Sequence, residues 1–172
     1  MDEIEQTNKV KILVELQKNG RASVSEIAEK TGLSRQTVAK TISNMEKKKE
    51  VWGYTAIFDP KLLGKKQFMF LVKLDLSKNI DEFLKRVTSN NLIKQNEEKY
   101  GFKTTYFLHG TSDLMVLTWA KDLIEVKKLL NNYKQAFSTY IENIDLLEII
   151  STFRNNGITN PKMIEEWTNL LI

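Results

Sequence analysis

The chain has no cysteine and only one histidine, His109, among its 172 residues. Without cysteine there are no disulfides, no thiolate nucleophile and no thiol-rich zinc site. This fits an intracellular protein, and a cytoplasmic location is expected. A single His and the lack of a glycine-rich phosphate loop leave little of the usual equipment of an enzyme. No catalytic residue stands out, and no set of His, Asp and Glu has metal-ligand spacing. No apolar run approaches the roughly 18 residues that a membrane-spanning helix needs. The start, MDEIEQTNK, has no apolar core behind a basic segment, so it does not read as a signal peptide. Proline occurs twice, at Pro60 and Pro161, and each marks the edge of an element.

What is present is 41% apolar and 28% charged, the balance of a globular chain long enough for one large domain or two small ones. The most informative stretch is 25–49, SEIAEKTGLSRQTVAKTISNMEKKK, which reads as a helix-turn-helix. Ala28 is small enough for two helices to cross closely. Gly32 supplies the positive φ of a tight turn. Val38 pins the second helix onto the first, Leu33 turns back to the core, and Ser34 is a good N-cap. At 100° per residue, Val38, Ile42 and Met45 share one narrow stripe of that second helix. Gln36, Lys40, Ser43 and Lys47 fall on the opposite side, with Thr37 and Asn44 beside them.

Amide, hydroxyl and amine groups on an exposed helix face suit base edges and phosphates in a major groove. Arg35, in the first turn, is placed to reach a phosphate or a guanine. The candidate DNA-binding residues are therefore Ser34, Arg35, Gln36, Thr37, Lys40, Ser43, Asn44 and Lys47. Residues 34–49 carry five basic and one acidic side chain, 5 − 1 = +4, and the whole chain is also +4. The rest is balanced, so the basic excess lies in this helix and its end. A helical hairpin with a solvated Lys-rich end explains Lys47–Lys49 alone, but not the spacing and the charge placement together.

Taken in order, a first helix is expected over 3–19, with Ile12, Leu13 and Leu16 inward and Asn19-Gly20 ending it. Ser23 or Ser25 caps the next helix. After the recognition helix, 51–58 (VWGYTAIF) alternates and reads as a strand interrupted at Gly53, a short wing that Asp59-Pro60 stops. Trp52 is expected to brace that wing against the helices, with contact to a base or sugar as the alternative. Periodicity then switches from 3.6 to 2, which marks a domain boundary. Phe68, Phe70, Val72, Leu74 and Leu76 share one strand face. A helix over about 81–89, strands over 104–109 and 114–120, a helix capped by Asp122 and ending near Phe137, and a strand over 140–153 follow.

That order, β-α-β-β-α-β, is the ferredoxin-like split unit. Its free sheet face, with Met69, Leu71, Met115, Leu117 and Trp119, is too apolar for water and predicts oligomerisation. Residues 90–103 are polar and charged and fit no single element. A turn at 155–160 leads to a last helix opened by Pro161, with Ile164, Trp167 and Leu171 on one side. The fold expected is α+β: a winged helix-turn-helix domain over 1–50, a β-strand linker over 51–66, a βαββαβ domain over 67–154 and a tail helix over 155–172.

These two halves resemble the Lrp/AsnC (feast/famine) family of prokaryotic transcription regulators. The resemblance is carried by KILVELQKNGRASVSEIAEKTGLSRQTVAKTISNMEKKKEVWGYTAIFDPKLLG (11–64), whose GYTAIFDPKLLG looks like the family's linker strand, and by GTSDLMVLTWAKDLIEVKKLL (110–130), with its Gly-x-x-Asp loop. It implies homodimers built through the C-terminal sheets, stacking to tetramers or octamers, bound to palindromic double-stranded promoter DNA. It also implies an amino-acid effector bound between subunits near Gly110, Thr111, Ser112 and Asp113, although this sequence is also that of an ordinary hairpin turn. No cofactor is implied. The 90–103 segment is longer than the family's, and the 155–172 tail extends past its last strand. Two other functions are open. Tetrapyrrole-processing decarboxylases share this two-domain fold and use His and Arg near the sheet cavity, where this chain has only His109 and the scattered Arg86 and Arg154. The other is an architectural or assembly protein that senses nothing.

Overall fold

The computed structural model describes residues 3–89 and 103–170. They form two compact units, one up to residue 57 together with the stretch from 152 onward, the other spanning 58–151.

The first unit starts with α1 (Glu3–Lys18), α2 (Val24–Thr31) and α3 (Arg35–Lys47). Each helix gives one apolar stripe to a shared core of Ile12, Ile27, Ala28, Val38 and Met45, with Leu16, Leu33, Ile42 and Val51 packed around it. Ile12, Ile27, Val38 and Met45 are wholly buried. Leu13, expected inside, is exposed; the face of α1 turned to α2 and α3 is set by Ile12, Leu16 and, unexpectedly, Lys9.

Two expectations for this unit are corrected. No strand forms over 51–58, because nothing among the described residues pairs with that segment; an alternating sequence without a neighbouring strand has no ladder to join. The tail is also more than a helix. Arg154–Asn155 (β1) pairs with Ile158–Thr159 (β2) around Asn156 (φ 46°) and Gly157 (φ 84°), the two left-handed residues of a tight hairpin turn. The helix α4 (Met163–Leu170) starts two residues beyond Pro161. Asn160 sets up that start, accepting from the Lys162 N–H on its side chain (2.9 Å) and from the Met163 N–H on its carbonyl (3.2 Å).

The second unit opens with a single 3₁₀ turn, Pro60–Leu63. It continues as β3 (Lys66–Leu74), α5 (Ile80–Ser89), β4 (Thr104–Phe107), β5 (Leu114–Ala120), α6 (Leu123–Phe137) and β6 (Ile141–Ile149). The sheet order is β4-β5-β3-β6 with every pair antiparallel, the ferredoxin-like topology. Phe68, Phe70, Val72 and Leu74 alternate inward from β3, and Leu114, Val116, Thr118 and Ala120 from β5. They meet Phe83 of α5 and Val126, Leu129, Leu130 and Phe137 of α6. Leu76 lies beyond the strand and is exposed. Strand β6 ends at Ile149, short of Phe153, and β4 ends two residues before His109. The segment 90–103 falls outside the described residues except for Lys103.

On the other sheet face, opposed residues line up in rows: Leu117, Met69 and Leu147 in one, Met115, Leu71 and Asp145 in the next, with Tyr106 beside Met115. Trp119 meets Phe58 edge-on (5.3 Å) and lies under the Lys103 ammonium (4.3 Å).

Asp113 ties the loop after β4 to β3. The β3–β5 pairing ends at Val72–Leu114, and Asp113 adds one further rung. Its N–H donates to Val72 O (2.9 Å) and its carboxylate accepts the Leu74 N–H (2.8 Å), beside the shift in register at Lys73/Leu74. The Lys73 ammonium lies 3.0 Å from the same carboxylate. The Leu74 hydrogen bond first, and then Lys73, hold its pKa below the usual carboxylate value. The stability this supplies is complete above the unfolded pKa, near 4, and is lost as pH falls through the lower folded value. Asp113→Asn keeps an acceptor for Leu74 but removes the charge. It should cost about 1 kcal/mol at neutral pH, and urea midpoints of variant and native protein should converge below pH ~4. A gap that is the same at neutral and acid pH would refute the role of the charge.

Candidate nucleic-acid interface

The polar face of α3 is built from its caps and its turn. Ser23 caps α2 reciprocally: its hydroxyl accepts the Glu26 N–H (3.2 Å) and Glu26 accepts the Ser23 N–H (2.6 Å). These contacts, the backbone one first, pull the Glu26 pKa down. Gly32 closes α2 at φ 71°. Two residues on, the Ser34 hydroxyl accepts the Thr37 N–H (3.1 Å) and shares a hydrogen bond with the Thr37 hydroxyl (2.9 Å). Helix α3 is thus fixed at its start, where a helix-turn-helix protein presents residues to base edges.

With Val38 and Met45 buried, helical geometry turns the remainder outward. Ser34, Arg35, Gln36, Lys40 and Lys47 are exposed, and Thr37, Ser43 and Asn44 are half-buried. The structure brings all eight together on α3 and its cap. Ser34 and Thr37 already bond to each other, which leaves Arg35, Gln36 and Lys40 as the freest groups near the N-terminus. At the other end Lys47, Lys48 and Lys49 are all exposed, and Lys49 takes a left-handed φ of 58° that reverses the chain. Glu50 and Val51 then donate their N–H groups to Met45 O (2.8 and 3.3 Å).

Three features of this end escaped sequence reasoning. Lys9 of α1 is 5% exposed, and its ammonium lies 3.0 Å from Glu50 and 3.8 Å from Glu5. The pair fastens the exit of α3 to α1. Only a lysine at a position of α1 that faces the core hinted at it. The Tyr54 hydroxyl donates to Glu46 (3.0 Å), so the one acidic residue on α3 is engaged. Trp52 is 94% exposed and so does not brace any wing.

The loop 110–113 has a different character. Gly110 and Thr111 are exposed and Ser112 is half-buried, while the Asp113 carboxylate is held by Leu74 and Lys73. The Leu108 N–H donates to Asp113 O (2.8 Å) and closes the loop, leaving His109 exposed at its rim. Among the described residues no group of His, Asp and Glu is placed to hold a metal ion, and no helix is long and apolar enough to cross a membrane.

Residues 6–48 match the winged helix-turn-helix DNA-binding family. Over 161 residues the chain is 26% identical to an uncharacterised HTH-type transcriptional regulator of Pyrococcus furiosus, covering 92% of this chain and 99% of that one. It is 29% identical over 121 residues to the leucine-responsive regulatory protein of Haemophilus influenzae, covering 70% and 69%. The solved structure of AsnC from E. coli superposes with a TM-score of 0.60 over 85% of this chain and 92% of that one, at 19% identity. The chain is thus similar to leucine-responsive and AsnC-type regulators. The helix-turn-helix match covers most of α1 and all of α2 and α3, and the likeness in fold extends over both units.

The geometry of the turn is open to test. No atom lies within 4 Å of where a Cβ on Gly32 would sit, so any penalty for a side chain is backbone strain alone. Gly32→Ala should destabilise the first unit by about 1–2 kcal/mol, and Gly32→Asn by less, since Asn tolerates the left-handed region. Equal losses for the two variants in urea unfolding would show that strain at Gly32 is not what matters.

Proposed function

We propose that the chain is a sequence-specific, DNA-binding transcription regulator that acts as a dimer or larger assembly and carries out no catalysis. The observation that carries the reading is the exposed face of α3: capped at Ser34, pinned by Val38 and Met45, and bearing with its end the chain's net charge of +4. Arg35 and Lys47–Lys49 supply phosphate contacts that give affinity. Gln36, Thr37, Lys40 and Asn44 supply contacts to base edges. Two copies place two such helices on one face of the duplex, about one helical turn or a multiple apart, on a palindromic site.

The test is fluorescence anisotropy with the duplex upstream of the protein's own gene, beside a scrambled duplex, across a salt series. Arg35→Ala should weaken binding to both and reduce the salt slope by about 0.9 for the lost phosphate. Gln36→Ala should weaken only the specific duplex, by about 1–3 kcal/mol. Failure of the native protein to bind either duplex at low salt would overturn the reading. The same titration with each amino acid added tests an effector at the 110–113 loop. There the groups open to a ligand are those of Gly110, Thr111 and Ser112, because Asp113 is committed to β3.

The assembly forms through the free face of the sheet, where Met69, Leu71, Met115, Leu117 and Leu147 form an apolar patch of the kind that marks an interface. Leu117→Asp should yield monomers in sedimentation velocity without melting the unit, since Leu117 points away from the helix-covered core. An unchanged sedimentation coefficient would rule out this face.

A further inference from the structure

From the surroundings of Trp52 we infer that it is a further DNA-contacting residue, packing its indole on the deoxyribose edge beside the phosphates bound at the end of α3. The inference rests on the DNA-binding reading above and extends the interface past the helix. Trp52 is 94% exposed, the most exposed of the large apolar side chains described. A tryptophan gains more from burial than almost any other side chain, and this one stands bare beside a run of exposed lysines.

Nor is Trp52 carried on a segment without anchors. On one side Val51 packs on the core and donates its N–H to Met45 O (3.3 Å). On the other, Tyr54 donates its hydroxyl to Glu46 (3.0 Å), and its ring lies 3.6 Å from where a Cβ on Gly20 would sit. Partial burial, and then Glu46, raise the Tyr54 pKa. Two anchors three residues apart therefore hold the backbone that carries the indole, which lowers the ordering cost of a contact.

Charge selects the partner. Trp52 follows Lys47, Lys48 and Lys49, all exposed; Glu46 is engaged by Tyr54 and Glu50 by Lys9. A second copy presenting the same patch would bring like charges together, whereas a polyanion neutralises them. The N-terminal residues of a recognition helix take the base edges, so its far end meets the backbone, where the apolar surface within reach is sugar.

The experiment uses the full chain with Trp119→Phe and Trp167→Phe, so that Trp52 is the sole indole, and acrylamide quenching with and without the upstream and scrambled duplexes. Trp52→Ala and Trp52→Phe are titrated by anisotropy beside it. DNA should reduce the quenching constant several-fold. Trp52→Ala should weaken binding about tenfold on both duplexes with the salt slope unchanged, because the contact releases no counterion. Trp52→Phe should recover most of the loss. If the native chain binds DNA but Trp52→Ala binds equally well, or quenching ignores DNA, Trp52 is not in the interface while the regulator reading stands. Protection that grows with protein concentration in the absence of DNA would assign Trp52 to a second copy and overturn the inference. If the native chain binds neither duplex, the DNA interface itself fails.

Discussion

Burial of Val38 and Met45 on one stripe of α3 is the constraint from which the first unit follows. Both are wholly buried, and each is worth roughly 1.5–3 kcal/mol of removed apolar surface. A helix of this length has one orientation that buries both. That choice leaves Gln36, Lys40 and Lys47 outward without any further interaction to aim them. Gly32 makes the orientation reachable by reversing the chain in a left-handed conformation between α2 and α3. Caps at Ser23 and Ser34 then satisfy N–H groups that would otherwise be orphaned at the helix starts. The polar face is thus a by-product of packing, and its rigidity comes from the core behind it.

The ends of α3 are secured by different means. At the N-terminus the cap is short-range and was legible: a serine before a run with 3.6 periodicity. At the C-terminus the fastening is the Lys9–Glu50 pair, 41 residues apart in sequence. No local pattern encodes a contact of that range, and a lysine on an amphipathic helix ordinarily reads as solvated. Its burial with a hydrogen-bonded carboxylate is the arrangement in which an ammonium is tolerated inside. The pair sits where Lys49 reverses the chain, so it also fixes where 51–54 begins.

The same division between local and non-local runs through the second unit. The alternation in β3 and β5, the Asp122 cap and the order of elements were legible, because each is written within about ten residues. The rows on the free sheet face followed from them, since a period of two settles which side chains share a face. The segment 51–58 misled for the complementary reason. It has the composition of a strand, but a strand is a pairing, and no described segment pairs with it. The tail misled through its turn. Asn156-Gly157 is the dipeptide of a tight hairpin, yet the flanking residues are too few and too polar to announce strands.

Asp113 shows how a loop signature and a structural role share one residue. Gly-Thr-Ser-Asp is turn chemistry on any reading, and its last residue completes the β3–β5 ladder past the final backbone pair. A carboxylate so engaged offers little to a ligand, since an incoming ammonium must compete with Lys73 and leave the Leu74 N–H in place. Any recognition at this loop must therefore use main-chain groups and hydroxyls, which favour small polar ligands over charge selection. The strong electrostatics of the chain lie instead at α3, where the charge is concentrated within 34–49 and the acidic neighbours Glu46 and Glu50 are held by Tyr54 and Lys9. Such an arrangement makes affinity for a polyanion steeply dependent on salt.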